Sequence, residues 1–196
     1  MNKAIFLDKD GTLIPDIPYN IEPDLIRLSE NSLEGLRKLQ EQGFLLIVIS
    51  NQAGVARGYF EEHNLAGVEV RLGQLLKDQG IQLNDFYYCP HHPEGKVKEY
   101  AKDCDCRKPK PGMILKAAAK FNISLGDSWM IGDILNDIEA GNRAGCKTVL
   151  IDSGNETEWE LSKIRTPTHK VETINEAALH ILKPIKETFG DEYSVS

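Results

Sequence analysis

The stretch Lys3-Ala4-Ile5-Phe6-Leu7-Asp8-Lys9-Asp10-Gly11-Thr12 runs from a short apolar segment directly into a charged turn. An apolar run of this length that ends on charged residues is typical of a strand buried on both faces of a sheet. Residues 44–50, Phe-Leu-Leu-Ile-Val-Ile-Ser, have the same character. Residues 32–42 between them carry apolar side chains at helical spacing, closed by Gly43. These segments predict a strand, a helix and a second strand.

The same alternation continues along the chain. We predict helices at 60–79, 113–121 and 137–144, strands at 85–89, 129–131 and 147–151, and a terminal helix at 175–186. Strands that alternate with helices over short connections form a parallel sheet with helices on both faces. We therefore predict a single doubly wound α/β domain over residues 1–186, with a flexible tail at 187–196.

Composition limits the classes of function. The chain has 196 residues, 41% of them hydrophobic, which suits one domain with a substantial core. Its net charge of -7 argues against a nucleic-acid partner, since phosphate-backbone binding requires clustered Lys and Arg. We find no apolar run long enough to cross a membrane and no export signal. We expect a cytoplasmic monomer without a membrane or nucleic-acid partner.

Polar residues follow three of the predicted strands. In a parallel sheet of this kind, ligands bind beyond the carboxyl ends of the strands. Those positions hold Asp8 and Asp10, the run Ser50-Asn51-Gln52, and Asp133. The pair Asp8 and Asp10, taken alone, fits a solvated Asp-Gly turn about as well as a functional site. The three strand ends together favour a site at one edge of the sheet.

A long irregular segment at 89–108 contains Cys89, His91, Cys104 and Cys106. Loops of this length in a compact domain are uncommon unless they are functional or held by something. Three sulfurs and one imidazole are the ligand set of a structural, tetrahedral Zn2+ site. The alternatives are His92 as the fourth ligand, or cysteines without metal. We predict a zinc-bound loop with His91 as the ligand.

These motifs, together with Lys108 and the segment 132–137, resemble the haloacid dehalogenase superfamily of aspartyl-nucleophile phosphatases. The resemblance implies that Asp8 is the nucleophile and that Asp10 is the general acid and base. It implies a Mg2+ site formed by Asp8, the backbone carbonyl of Asp10 and Asp133. Ser50 and Lys108 would then contact the phosphoryl group.

The resemblance leaves the role of Asp137 open and implies a site that no cap domain covers. Asp137 would support the metal or the lysine, or act only as a charge at a helix N-terminus. The chain contains no insertion large enough for a separate cap domain, so access to the site would be open and substrate selectivity would come from loops.

The zinc loop and the run at 51–58 resemble one branch of the superfamily, which contains D-glycero-D-manno-heptose 1,7-bisphosphate 7-phosphatases and histidinol-phosphate phosphatases. We expect a small phosphorylated sugar as substrate, with removal of the 7-phosphate of the heptose bisphosphate. The alternatives are histidinol phosphate, or a phosphate-binding module without catalysis. Arg57 is equally well interpreted as an ordinary surface cation, and Ile134 stands where related enzymes have a polar or cationic residue. The substrate-binding positions implied are Asp16, Ile17, Pro18, Tyr19, Asn51, Gln52, Ala53, Arg57 and Arg107.

Overall fold

Six strands and six α-helices alternate through most of the chain, and the computed structural model describes residues 1–183. The strands are β1 (Lys3–Leu7), β2 (Phe44–Asn51), β3 (Asp85–Cys89), β4 (Trp129–Gly132), β5 (Lys147–Ile151) and β6 (His169–Val171). The helices are α1 (Leu33–Glu41), α2 (Gly54–Arg57), α3 (Leu65–Asp78), α4 (Gly112–Phe121), α5 (Leu135–Ala144) and α6 (Ile174–Leu182). All six strands pair in parallel, in the order β3-β2-β1-β4-β5-β6.

Strand β1 shows why helices cover both faces of the sheet. Successive side chains of a strand point to opposite faces. Ile5 and Leu7 pack in a core with residues of α1, α3 and α6. Ala4 and Phe6 pack on the other side with residues of α4 and α5. The predicted doubly wound sheet with two helical layers is confirmed.

The order of the strands reverses at β1, which lies between β2 and β4. The chain passes from β1 through β2 to β3 on one side, and from β4 through β5 to β6 on the other. Such a switch point opens a crevice at the carboxyl ends of the central strands. The N–H of Asp8 donates to the carbonyl of Ile131 at 2.9 Å, which fixes Asp8 at this crevice.

The helix predicted at 60–79 begins later than the periodicity indicated, at Leu65. The ring of Phe60 lies against Gly54, and Glu61 has extended backbone angles (φ -85°, ψ 150°), so the chain turns before the helix starts. Strand β6 was not predicted, because three residues are too few to show alternation.

Helix α6 is the last element that the structure describes. Helix α6 ends at Leu182, and Lys183 is extended. The rest of the predicted helix at 184–186 and the predicted tail at 187–196 lie outside the described residues.

The connections after β1 and β2, residues 8–32 and 52–84, hold only short elements and α3, so neither forms a cap domain. Among residues 1–183 no helix is both long and apolar enough to span a membrane.

Candidate active site

Three carboxylates meet at the crevice between β1 and β4. Asp8 follows β1, Asp133 follows β4, and Asp137 lies in the first turn of α5. One oxygen of each lies within 4.8 Å of the others. Asp8, Asp133 and Asp137 are only 7%, 4% and 0% exposed. Buried carboxylates this close together must be neutralised, either by protonation or by a nearby cation.

Lys108 supplies one positive charge to this cluster. Its Nζ donates to Asp8 Oδ1 at 2.5 Å and to the Ile49 carbonyl at 2.9 Å, and it lies 2.6 Å from Asp137 Oδ1. Burial alone would lower the pKa of Lys108, but the carboxylates of Asp137 and Asp8 outweigh burial and raise it. The lysine is therefore a fixed cation between two acids.

The side chain of Asn51 holds the backbone that carries this lysine. Its Oδ1 accepts from the Lys108 N–H, and its Nδ2 donates to the Lys108 carbonyl, both at 3.0 Å. Asn51 lies at the carboxyl end of β2, so the zinc-loop segment is tied directly to the sheet. Asn51, a predicted substrate residue, thus positions the backbone of Lys108.

The cluster remains more negative than one lysine can balance. Burial raises the pKa of Asp8 to about 6. Burial, with the nearby charges of Asp8 and Asp137, raises the pKa of Asp133 to about 8. Hard carboxylate oxygens around an excess of negative charge fit a divalent cation such as Mg2+. Asp8 and Asp133 are the residues available to hold it, because Lys108 binds only Oδ1 of Asp8 and the partners of Asp133 are neutral, whereas both oxygens of Asp137 are engaged, Oδ1 by Lys108 and Oδ2 by the Ile134 N–H.

Two side chains that the sequence did not single out orient Asp133. Thr12 Oγ1 donates to Asp133 Oδ1 at 3.1 Å, and Asn155 Nδ2 donates to Asp133 Oδ2 at 2.7 Å. Gly11 has a positive φ of 83°, and a Cβ there would collide with both Asp133 and Asn155. Glycine is therefore required in this turn by backbone conformation and by space.

Asp10 points to a different set of partners. Its Oδ1 accepts from the buried Lys9 Nζ at 2.6 Å, and its Oδ2 accepts from Gln52 Nε2 at 3.1 Å. The same Gln52 nitrogen donates to Ser50 Oγ at 2.7 Å, which leaves the Ser50 hydroxyl proton free to donate elsewhere. Burial raises the pKa of Asp10, although Lys9 opposes the shift. These contacts join Asp10, in the turn after β1, to the buried Ser50 near the carboxyl end of β2.

A cavity of about 280 Å3 opens beside Asp10. Most predicted substrate residues lie on its wall, but Ile17 does not, and its side chain is exposed. Arg57 and Arg107 lie outside this wall. The lining consists of Lys9, Asp10, Asp16, Pro18, Tyr19, Asn20, Asn51, Gln52, Ala53 and Gly54.

The predicted zinc ligands Cys89, His91, Cys104 and Cys106 converge on one point. The sulfur separations are 2.9, 3.2 and 3.5 Å, and His91 Nδ1 lies 3.4 Å from Cys106 Sγ. A tetrahedral zinc site with bonds of about 2.3 Å has edges of about 3.7 Å, so the donors are close to the spacing that zinc requires. The hydrogen bond between Cys89 and Cys106 lowers the pKa of Cys106 and raises the pKa of Cys89, so this pair favours one thiolate beside one thiol until a metal takes the place of the shared proton. The cluster fits a structural zinc ion.

His92 has other partners. Its Nδ1 accepts from the Glu94 N–H at 3.1 Å, and its Nε2 lies 3.3 Å from Arg57 Nη2. The structure therefore places His91, and not His92, in the cysteine cluster.

Comparison with known proteins settles the family. A D-glycero-beta-D-manno-heptose-1,7-bisphosphate 7-phosphatase of Pasteurella multocida (strain Pm70) is 48% identical over 155 residues, which are 79% of this chain and 84% of that protein. The chain belongs to the haloacid dehalogenase-like phosphatases. A family model described as HAD-hydrolase-like also matches residues 105–177. The chain is thus an enzyme, a phosphatase.

Two further relatives agree. A Haemophilus influenzae (strain ATCC 51907 / DSM 11121 / KW20 / Rd) protein with the same name is 44% identical over 161 residues, covering 82% of this phosphatase and 87% of the relative. A solved structure of D,D-heptose 1,7-bisphosphate phosphatase from B. bronchiseptica, complexed with magnesium and phosphate, has a TM-score of 0.79 and 28% identity, covering 92% of this chain and 98% of that one.

Two arginines of this phosphatase lie near His92. Arg57 and Arg107 both lie close to His92, whose pKa is lowered by burial and then by these two positive charges. Burial lowers the pKa of Arg107, the nearby Cys89 and Cys104 oppose that shift, and Arg57 adds to it. Within residues 1–183 neither arginine forms a salt bridge, and Arg57 Nε is buried without a hydrogen-bond partner. Two half-buried cations without an acidic partner form a site suited to an anion.

Proposed function

We propose that this phosphatase hydrolyses a small sugar phosphate with Mg2+, and that its substrate is D-glycero-D-manno-heptose 1,7-bisphosphate, from which it removes the 7-phosphate. The names of the relatives at 44–48% identity support this substrate. The structural observation that supports a bisphosphate substrate is the arginine pair Arg57 and Arg107. A bisphosphate needs positive charge away from the reacting phosphate.

The reaction begins at Asp8. Lys108 occupies Oδ1 of Asp8, which leaves Oδ2 to attack phosphorus. The P–O bond to the sugar breaks, and Asp10 gives its proton to the leaving oxygen. The product of this step is an aspartyl-phosphate at Asp8 and the free sugar hydroxyl.

A water molecule completes the cycle. Asp10 accepts a proton from the water as its oxygen attacks phosphorus, and the bond to Asp8 breaks, which releases inorganic phosphate. Ser50 donates its free hydroxyl proton to a phosphoryl oxygen, and Lys108 neutralises part of the negative charge. Asp8, the carbonyl of Asp10 and Asp133 would hold Mg2+, which when bound offsets the repulsion between a carboxylate and a phosphate dianion.

Zinc would have a structural task. The cluster closes the loop that leads into Arg107 and Lys108, and the N–H of Gly112 donates to the carbonyl of Asp105 at 2.9 Å to continue that closure. A closed four-ligand site leaves no open position for substrate. The proposal therefore gives zinc the role of holding two cations in place.

Kinetics with a set of phosphate esters test this substrate. We expect kcat/KM to be higher for the heptose bisphosphate than for histidinol phosphate, with loss of the 7-phosphate seen by phosphorus NMR. Faster turnover of histidinol phosphate would refute the sugar assignment. Failure of the protein with Mg2+ to release phosphate from any ester would favour a binding module.

Variants of the arginines test the remote phosphate. R57A and R107A should each lower kcat/KM for the bisphosphate roughly tenfold or more, the value of one charge-assisted hydrogen bond. The same variants should change kcat/KM for heptose 7-phosphate much less, since that ester lacks the second phosphate. Arg143, which is paired with Glu139 on α5, provides the control variant R143A.

A further inference from the structure

Two tyrosines from different loops meet at the edge of the substrate cavity. The rings of Tyr19 and Tyr59 have centroids 4.5 Å apart and an interplanar angle of 67°, which is an edge-to-face pair. Both are about half exposed, at 47% and 55%. Tyr19 lines the cavity beside Asp10, whereas Tyr59 does not. We propose that Tyr59 is a positioning residue that holds Tyr19 at the substrate cavity and thereby sets selectivity for a sugar phosphate.

Tyr19 belongs to a loop with few ties of its own. Among the described residues, the backbone hydrogen bond within 15–20 is the local one from the Asn20 N–H to the Ile17 carbonyl, at 3.1 Å. No backbone bond joins 15–20 to another element of residues 1–183. Tyr19 also has a positive φ of 56°, an unfavourable conformation for an aromatic residue. Such a conformation needs contacts from the surroundings to maintain it.

Tyr59 follows a rigid element. Helix α2 ends at Arg57 and is capped by Gly58, which has a positive φ of 75°, and the Tyr59 N–H then donates to the Gly54 carbonyl at 2.9 Å. The Ala56 carbonyl accepts from the N–H groups of Lys96 and Val97, at 2.7 and 2.9 Å. These bonds fix α2 to the zinc loop. The base of Tyr59 is therefore held, whereas the base of Tyr19 is not.

Phe60, which follows Tyr59, packs against the first residue of α2. The ring of Phe60 lies so close to Gly54 that a Cβ there would collide with it. Gly54 itself lines the substrate cavity. The wall of the cavity and the support for Tyr59 thus belong to the same short segment. A substrate that packs against Tyr19 is placed by a ring whose position depends on Tyr59.

This inference rests on the proposed function, because it concerns recognition of a sugar. Y59A should raise KM for the heptose bisphosphate about three- to tenfold, the range expected for loss of one aromatic pair, with a smaller change in kcat. Y59F keeps the ring and should behave as the parent. Hydrolysis of acetyl phosphate, whose short acyl group does not reach Tyr19, should change little. The variant L179A, at an exposed position of α6, is the surface control.

A double-mutant cycle separates positioning from direct contact. If Tyr59 acts through Tyr19, the variant Y19A/Y59A should have the KM of Y19A alone. Additive effects of the two substitutions, or a parental KM in Y59A, would overturn the inference. A parent enzyme that prefers another sugar phosphate would contradict the heptose assignment by itself. The cycle would then be measured on that preferred ester, and additivity would still overturn the role of Tyr59.

Discussion

Replacing Lys108 with Met tests the charge balance of the active site. Lys108 Nζ lies 2.5 Å from Asp8 and 2.6 Å from Asp137, and all three side chains are at least nine-tenths buried. At an effective dielectric constant of about 20, each pair attracts by about 6 kcal/mol before the cost of burial is subtracted. Removing the cation leaves buried carboxylates unneutralised, which typically costs about 3–5 kcal/mol. We expect K108M to lose about that much free energy of unfolding.

The measurement is urea unfolding of the zinc-loaded protein in buffer without added Mg2+. The matched control is K110M, because Lys110 forms an exposed pair with Asp103 at 2.6 Å and should contribute less than about 1 kcal/mol. The double variant K108M/D137N, which removes one of the unneutralised carboxylates, should recover part of the lost stability. If K108M were as stable as K110M, the interpretation of Lys108 as the cation that balances this cluster would be wrong.

The remaining predictions concern the two metal sites and the placement of Lys108. Elemental analysis should find zinc in the parent and in C146S, which removes a buried thiol outside the cluster, but not in C106S; equal zinc in both variants would contradict the ligand set. N51A should lower kcat with little change in KM for acetyl phosphate, because the Asn51 amide fixes the backbone of Lys108; an unchanged kcat would exclude this positioning role. N155A should weaken Mg2+ binding about tenfold, because Asn155 orients the metal ligand Asp133. Calorimetry measures this affinity, and the parental value in N155A would show that Asn155 is dispensable.

The central sheet and its acidic edge were predictable from sequence for one reason. Buried parallel strands are nearly continuous apolar runs, and the residues that follow them meet at one edge. On this basis the sequence alone predicts that Asp8, Ser50 and Asp133 lie at the same edge of the sheet. The convergence of Cys89, His91, Cys104 and Cys106 was predictable because cysteines and histidine at short spacings are chemically distinctive.

Other parts of the site depend on contacts that leave no local pattern. Asn155 reaches Asp133 from the connection after β5, 22 residues further along the chain. Thr12 and Lys9 belong to the turn after β1, but nothing in their residue type indicates which carboxylate each contacts. The late start of α3 likewise follows from packing of Phe60 on Gly54, a tertiary contact that overrides helical periodicity.

The identity of the nucleophile is tested most directly by trapping the phosphorylated enzyme. In D10N the second step should be slow, because the residue that activates water is missing, so phosphoenzyme formed from p-nitrophenyl phosphate should accumulate. Acid quenching, borohydride reduction and peptide mass spectrometry locate the modified residue. We expect homoserine at position 8, the reduction product of an aspartyl-phosphate. Phosphate release without a trapped phosphoenzyme, or modification at any residue other than Asp8, would contradict the proposed mechanism.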